Sequence, residues 1–188
     1  MSFFSKITSV FHNTEDTETP APAIFATRGD TMYAPISGML VSQKEIDDEV
    51  ISQGLIGEGY GILPVGNVVY APVNGRVDVV TVTNHAIGIL ADNGAKILVH
   101  VGLGTVNMDG KGFTRYVEAG DIVAAGQPIL SFDDEAIKAA GCDDVVTCVV
   151  SNPTELESVD LIGSSNTLLG GRPLVKVGDR RGACWRNR

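Results

Sequence analysis

The sequence predicts an all-β protein: an antiparallel β-sandwich or barrel-sandwich hybrid with a duplicated β-motif and few short helices. Three observations carry that prediction. From residue 31 to 178, short runs rich in Val, Ile, Thr and Tyr are broken by Gly, Pro, Asn and Asp roughly every eight to twelve residues, the rhythm of strands joined by tight turns. "YAPISG" at 33–38 returns as "YAPVNG" at 70–75, and two copies, too few for a solenoid, read as one β-motif used twice within a domain. The best helix candidate is "DDEAIKAAG" at 133–141, with an acidic start, good helix formers and a closing glycine.

In chain order, residues 1–11, "MSFFSKITSVF", place Phe3, Phe4, Ile7, Val10 and Phe11 on one helical stripe. That segment is either an amphipathic helix for a membrane surface or partner, or a terminus docked on the core. Residues 12–30 mix acids, threonine and proline without periodicity and read as a flexible linker, so 1–30 forms an N-terminal tail with His12 as a bystander. The β domain spans 31–178. Residues 179–188 hold Arg180, Arg181, Arg186 and Arg188 and read as a basic C-terminal tail.

Net charge is −9 for 188 residues, and residues 1–179 carry 10 basic against 23 acidic side chains. That balance argues against nucleic acid as the ligand of the folded body and favours a basic protein partner. The three cysteines form no CxxC pair and read as reduced thiols, and no run of about 18 apolar residues suggests a membrane span, so the expected location is cytoplasmic.

The chemistry concentrates in "VTVTNHAIGILADNGAKILVHVG" (80–102), two strand-like runs separated by Asp92, Asn93 and Gly94. On the second run Ile97, Val99 and Val101 alternate with Lys96, Leu98 and His100, so the β-branched set faces the core and His100 faces away. A two- or four-residue loop pairs even positions with odd ones. His85 and Thr83 then share the face of His100: directly opposite it if Asp92-Asn93 is the loop, diagonal if Asn93-Gly94 is. A three-residue loop or a bulge would undo that parity. Two imidazoles and a hydroxyl can bind metal, shuttle protons or present one nitrogen as a nucleophile. Catalytic zinc needs about three protein ligands, and no H-x-H or H-E-x-x-H pair is present.

The string "ILVHVGLGTV" (97–106), preceded by "TNHAIG" (83–88), resembles the glucose-type EIIA component (phosphocarrier) of the bacterial phosphoenolpyruvate-dependent sugar phosphotransferase system. The likeness extends to "APISG", "GEGYGI" (57–62), "YAPVNGRV", "GKGF" (110–113), "EAGDIVAAGQPIL" (118–130) and "VVTCVVSNP" (145–153). It implies that His100 is phosphorylated on Nε2, that His85 donates a hydrogen bond to the phosphoryl group, and that the Thr83 hydroxyl supports the pair. The Nδ1–H of His100 is expected on a backbone carbonyl of the 101–104 turn. The implied donor is the histidine phosphocarrier protein and the implied acceptor a IIB domain of a sugar permease, with no cofactor required.

An apolar ring of Leu98, Ile87, Ile89, Val50 and Ile51, with Asp48 beside it, is expected to dock these partners. The family also forms intermolecular zinc sites with a partner carboxylate, which would make His85 and His100 half of a metal site. Two departures stand out: Gly104 replaces a common aspartate, and "DDEVIS" (47–52) keeps Asp48 without the usual aromatic. The rival classes are a regulatory zinc-bridged module and a biotinyl- or lipoyl-like carrier. The second draws on "GDIVAAGQPIL" followed by Lys138.

Overall fold

The computed structural model describes residues 18–162, 168–169, 172–180 and 182–186. The amphipathic stripe at 1–11 and His12 lie outside them. In chain order the strands are β1 (Gly38–Ser42), β2 (Glu58–Pro64), β3 (Val68–Tyr70), β4 (Gly75–Val80), β5 (Ala86–Ala91), β6 (Lys96–Leu103), β7 (Phe113–Arg115), β8 (Ile122–Val123) and β9 (Pro128–Phe132). They continue as β10 (Asp143–Val150), β11 (Ser158–Ile162), β12 (Leu168–Leu169), β13 (Arg172–Val175) and β14 (Gly182–Arg186). The α-helices are short: α1 (Glu49–Ser52), capped by the Asp48 carboxylate, and α2 (Asp134–Ala139), capped by Asp133 within the predicted helical stretch.

The strands are antiparallel and build a β-sandwich. The larger sheet runs β12-β13-β1-β2-β10-β6-β5-β4-β8; facing elements include β3-β9-β7 and the β11-β14 pair. Reading outward from the central β10–β6 pair, each side repeats one plan: β2-β1-β13 on one, β5-β4-β8 on the other. The repeated motif sits at the matching point of both halves. Tyr33 N donates to the Pro72 carbonyl at 2.9 Å and Tyr70 N to the Pro35 carbonyl at 2.8 Å, so the copies clasp each other reciprocally. Gly38 opens β1 and Gly75 opens β4; a Cβ on either would run into a neighbouring backbone carbonyl, of Leu63 or Leu90, which is why both copies of the motif end in glycine.

The main core gathers Ile62, Ile87, Ile89, Ile97, Val99, Val101, Ile129 and Leu130, each 1% exposed or less. A second, smaller cluster of Val41, Ile46, Ile51 and Val145 packs under the 43–57 connection. The C-terminal segment departs from expectation. Residues 182–186 form β14 against β11, and Trp185, 1% exposed, joins the main core. One bulky indole buries enough apolar surface to hold a strand within a C-terminal stretch, 179–188, that carries four arginines.

Candidate active site

His100 lies in the middle of β6, where Ile97, Val99 and Val101 face the core as the alternation requires and Leu98 and His100 are half-buried on the other face. Its lateral neighbours are Ala86 on β5 and Thr147 on β10. The β5–β6 register pairs Ala86 with His100, Ile87 with Val99 and Ile89 with Ile97, because the hairpin loop holds all three of Asp92, Asn93 and Gly94. Even positions therefore share a face with even ones, and the expected parity fails. Ile87 and Ile89 turn inward and are 0% and 1% exposed, so neither belongs to a surface ring.

His85 nonetheless reaches His100, by a different route. β4 and β5 are joined by a four-residue loop, 82–85, closed where Thr81 N donates to the Ala86 carbonyl. Asn84 adopts a left-handed backbone (φ 57°), which asparagine tolerates better than most residues. His85 leaves the regular pleat there, its carbonyl still accepting from Val101 N at 2.8 Å. Its ring packs edge-on against His100, centroids 4.9 Å apart and planes at 86°.

Thr83 Oγ1 lies 2.6 Å from His85 Nδ1, with Thr81 Oγ1 at 3.4 Å. Because Thr81 Oγ1 also lies 3.2 Å from the Ala86 carbonyl, to which it donates, Thr83 is the hydroxyl free to pair with Nδ1. When the Thr83 hydroxyl donates, the ring proton of a neutral His85 sits on Nε2.

Burial sets the protonation of the pair. Desolvation, reinforced by the neighbouring charge of a protonated His85, lowers the His100 pKa to about 4, against the smaller opposing pull of Asp48 and the Gly102 carbonyl. Desolvation lowers His85 as well. His100 is therefore neutral near pH 7. Its Nδ1 is buried and has no hydrogen-bond partner, so the expected bond to a carbonyl of the 101–104 turn is not formed, although the Gly102 backbone favours the protonated ring.

The 43–57 connection covers one flank. Asp48 caps α1 through Ile51 N at 2.9 Å and acts on His100 electrostatically. Val50 is 48% exposed, whereas Ile51 is 4% exposed and anchors the second cluster, so Ile51 is corrected from docking residue to core residue. The exposed apolar residues of these loops and strands are instead Val50, Leu55, Val79, Val82 and Val106. Val82 lies in the His85 loop, Val106 follows Gly104, and Val79 packs over Gly88, opposite Leu98. Sequence reasoning missed these three, which lie on β4 and on turns outside the β5–β6 hairpin; a three-residue count of the Asp92–Gly94 loop would have turned Ile87 inward.

Thr147, directly across from His100, is fully buried with an unpartnered hydroxyl. Replacing it with the near-isosteric valine removes that unmet group, and we expect Thr147→Val to raise stability by about 1 kcal/mol in urea titration. Lys138 lies on α2, ion-paired with Asp134 at 2.9 Å and with Asp144 at 3.6 Å. It does not occupy the tip of a tight hairpin, which removes the ground for the biotinyl or lipoyl reading. Among the described residues, no cluster of three or more His, Cys, Asp or Glu could hold a metal ion, and no helix is long and apolar enough to cross a membrane.

Fold and site together define an antiparallel β-sandwich that presents a neutral, edge-to-face histidine pair on one sheet. The family "phosphoenolpyruvate-dependent sugar phosphotransferase system, EIIA 1" matches residues 30–156. A glucose-specific EIIA component from Staphylococcus epidermidis is 41% identical over 146 residues, covering 78% of this chain and 88% of that one. A beta-glucoside-specific EIIBCA component from Bacillus subtilis is 43% identical over 131 residues, 70% of this chain but 22% of the relative's own length. Among solved structures, glucose permease IIA from Mycoplasma capricolum superimposes with a TM-score of 0.66 at 30% identity, covering 81% of this chain and 94% of the other. The chain belongs to the EIIA 1 family of the sugar phosphotransferase system.

Proposed function

We propose that this chain is a phosphoryl carrier that accepts phosphate on His100 Nε2 from the histidine phosphocarrier protein and passes it to a IIB domain of a sugar permease. The single observation that carries this reading is the neutral His100, half-exposed on its sheet, with the second imidazole 4.9 Å away. The Bacillus relative's name, EIIBCA, places an EIIB part in the same polypeptide as its A part and supports the choice of acceptor.

The Nε2 lone pair of His100 attacks phosphorus as the N–P bond of the donor phosphohistidine breaks, and the donor imidazole leaves with the bonding pair. His85 donates its Nε2–H to an equatorial oxygen, positioned by Thr83, as transfer between two nitrogens calls for donors at the developing charge. Onward transfer reverses these roles. On this chain's side the transfer uses the side chains of His100, His85 and Thr83, with no cofactor. Val50, Val79, Val82 and Val106 with half-buried Leu98 form the docking surface, and the acidic body favours basic partners. Residues 1–11 supply a membrane-surface contact, placing the protein in the cytoplasm and peripherally at the inner face of the membrane. A zinc ion at a partner interface would be held by His85 and His100 with a partner carboxylate.

Incubation with phosphoenolpyruvate, the first enzyme of the system and the histidine phosphocarrier protein is expected to deposit one acid-labile phosphate, mapped to His100 by mass spectrometry. His85→Gln is expected to accept phosphate and deliver it to IIB at least tenfold more slowly, the loss of one well-placed donor. A stable phosphate, or one on another residue, contradicts the assignment.

A further inference from the structure

His85 is delivered to His100 by a loop, so whatever fixes the loop fixes the geometry of the pair. The bend of the loop is Asn84, left-handed and flanked by Thr83 and His85. The backbone of the loop is closed by the Thr81 and Ala86 pair and by the Asn84 N to Thr81 carbonyl bond at 2.9 Å, and its last residue is tied to β6 where Val101 N donates to the His85 carbonyl. A contact from the other sheet meets it at the bend. Arg115, the last residue of β7, donates from Nη1 to Asn84 Oδ1 at 3.1 Å and from Nη2 to Glu118 Oε1 at 2.6 Å.

The Arg115 side chain is 27% exposed, and its planar fork engages two acceptors in a way a lysine cannot reproduce. The loop that leads into β7 lies against the same turn, since a Cβ on Gly110 would touch the backbone of Thr83. The bonds Arg115 makes go to Asn84 and Glu118, so it acts through the loop and not on the imidazoles directly.

We propose that Arg115 is a positioning residue for His85: by holding Asn84 in its left-handed turn it sets the Thr83 Oγ1 to His85 Nδ1 contact, and with it the nitrogen on which His85 keeps its proton. The proposal rests on the reading of His85 as hydrogen-bond donor to the phosphoryl group. It extends that site to a residue of the opposite sheet that touches neither histidine.

The test uses two substitutions that break the same contact from opposite ends. Arg115→Met keeps the aliphatic stem and removes the fork; Asn84→Gly keeps the left-handed backbone and removes Oδ1. Phosphate acceptance at His100 is expected to stay within about twofold, and delivery to IIB to fall about tenfold or more, as small misplacements of reacting groups do. The double variant is expected to be no slower than the slower single one, because both act through one contact. Nitrogen-15 NMR of the unphosphorylated protein is expected to move His85 from a single Nε2–H tautomer to a mixture, with thermal melting confirming that each variant is folded.

Unchanged tautomer and delivery in folded Arg115→Met, additive losses in the double variant, or a tautomer change without loss of delivery each overturn the proposal. Normal delivery by His85→Gln would instead defeat the underlying reading of His85, and the tautomer measurement separates the two failures because it needs no phosphoryl transfer.

Discussion

His100→Gln is expected to abolish the phosphoryl label and, in the same protein, to flatten the fall in stability on mild acidification. The two effects share one cause. Burial that keeps the imidazole neutral for attack also holds its folded-state pKa at about 4, below the ordinary histidine value of 6.5. Between those values the unfolded chain binds the proton and the folded chain does not. The contribution of this group is therefore complete above pH 6.5 and is lost as pH falls toward 4, at a cost on the order of 2–3 kcal/mol.

Glutamine carries no such proton. Urea titrations from pH 7 to 4.5 are expected to show the wild type losing stability more steeply than His100→Gln, with a residual slope from His85, which burial shifts in the same direction. Parallel slopes, or persistent label in the variant, would contradict the assignment of His100 as a buried neutral nucleophile.

Trp185→Ala is expected to lower stability by about 3–5 kcal/mol, in the range for removing a fully buried indole. At this chain length that corresponds to a fall in melting temperature of roughly 6–20 °C. Trp185 is 1% exposed in the main core, and its strand is held by five-residue pairing with β11 and by Trp185 N donating to the Asp30 carbonyl at 3.2 Å. As the sole tryptophan, it also reports directly: its fluorescence is expected to be blue-shifted in the native protein and to red-shift on unfolding. Trp185→Phe, which keeps most of the apolar bulk, is expected to lose much less. A cost below about 1 kcal/mol for alanine would mean that 182–186 is the dispensable tail its composition suggests.

The fold class was legible because half-buried antiparallel strands impose a period of two and tight turns demand Gly, Asn, Asp or Pro, and both marks lie on the surface of the sequence. The inward set Ile97, Val99 and Val101 followed from the same rule. Pairing across a hairpin was not legible, since Asp92, Asn93 and Gly94 are all turn formers and nothing local says how many of them the loop takes. One residue of loop length exchanged the faces of Ile87 and Ile89.

The meeting of His85 with His100 was foreseen for a reason that does not hold. Parity would have sent His85 inward alongside Val101, and the left-handed Asn84 turned it back. Ile51 and Val50 were indistinguishable as neighbours on a four-residue helix until packing buried one and exposed the other. Arg115 carried no local signal, because its role depends on a contact 31 residues away in sequence.

The two halves of the large sheet, built to one plan, have taken up different duties at matching places. Where one half joins its paired strands by the short loop 82–85, which bears the second histidine, the other joins β1 to β2 through the long 43–57 connection, which bears Asp48 and Val50. One half thus carries both histidines and its twin the connection that flanks them. Under the proposed function, changes in the long connection would alter partner docking without touching the histidine pair, so the repeated plan puts the pair and its flank on separate pieces of chain.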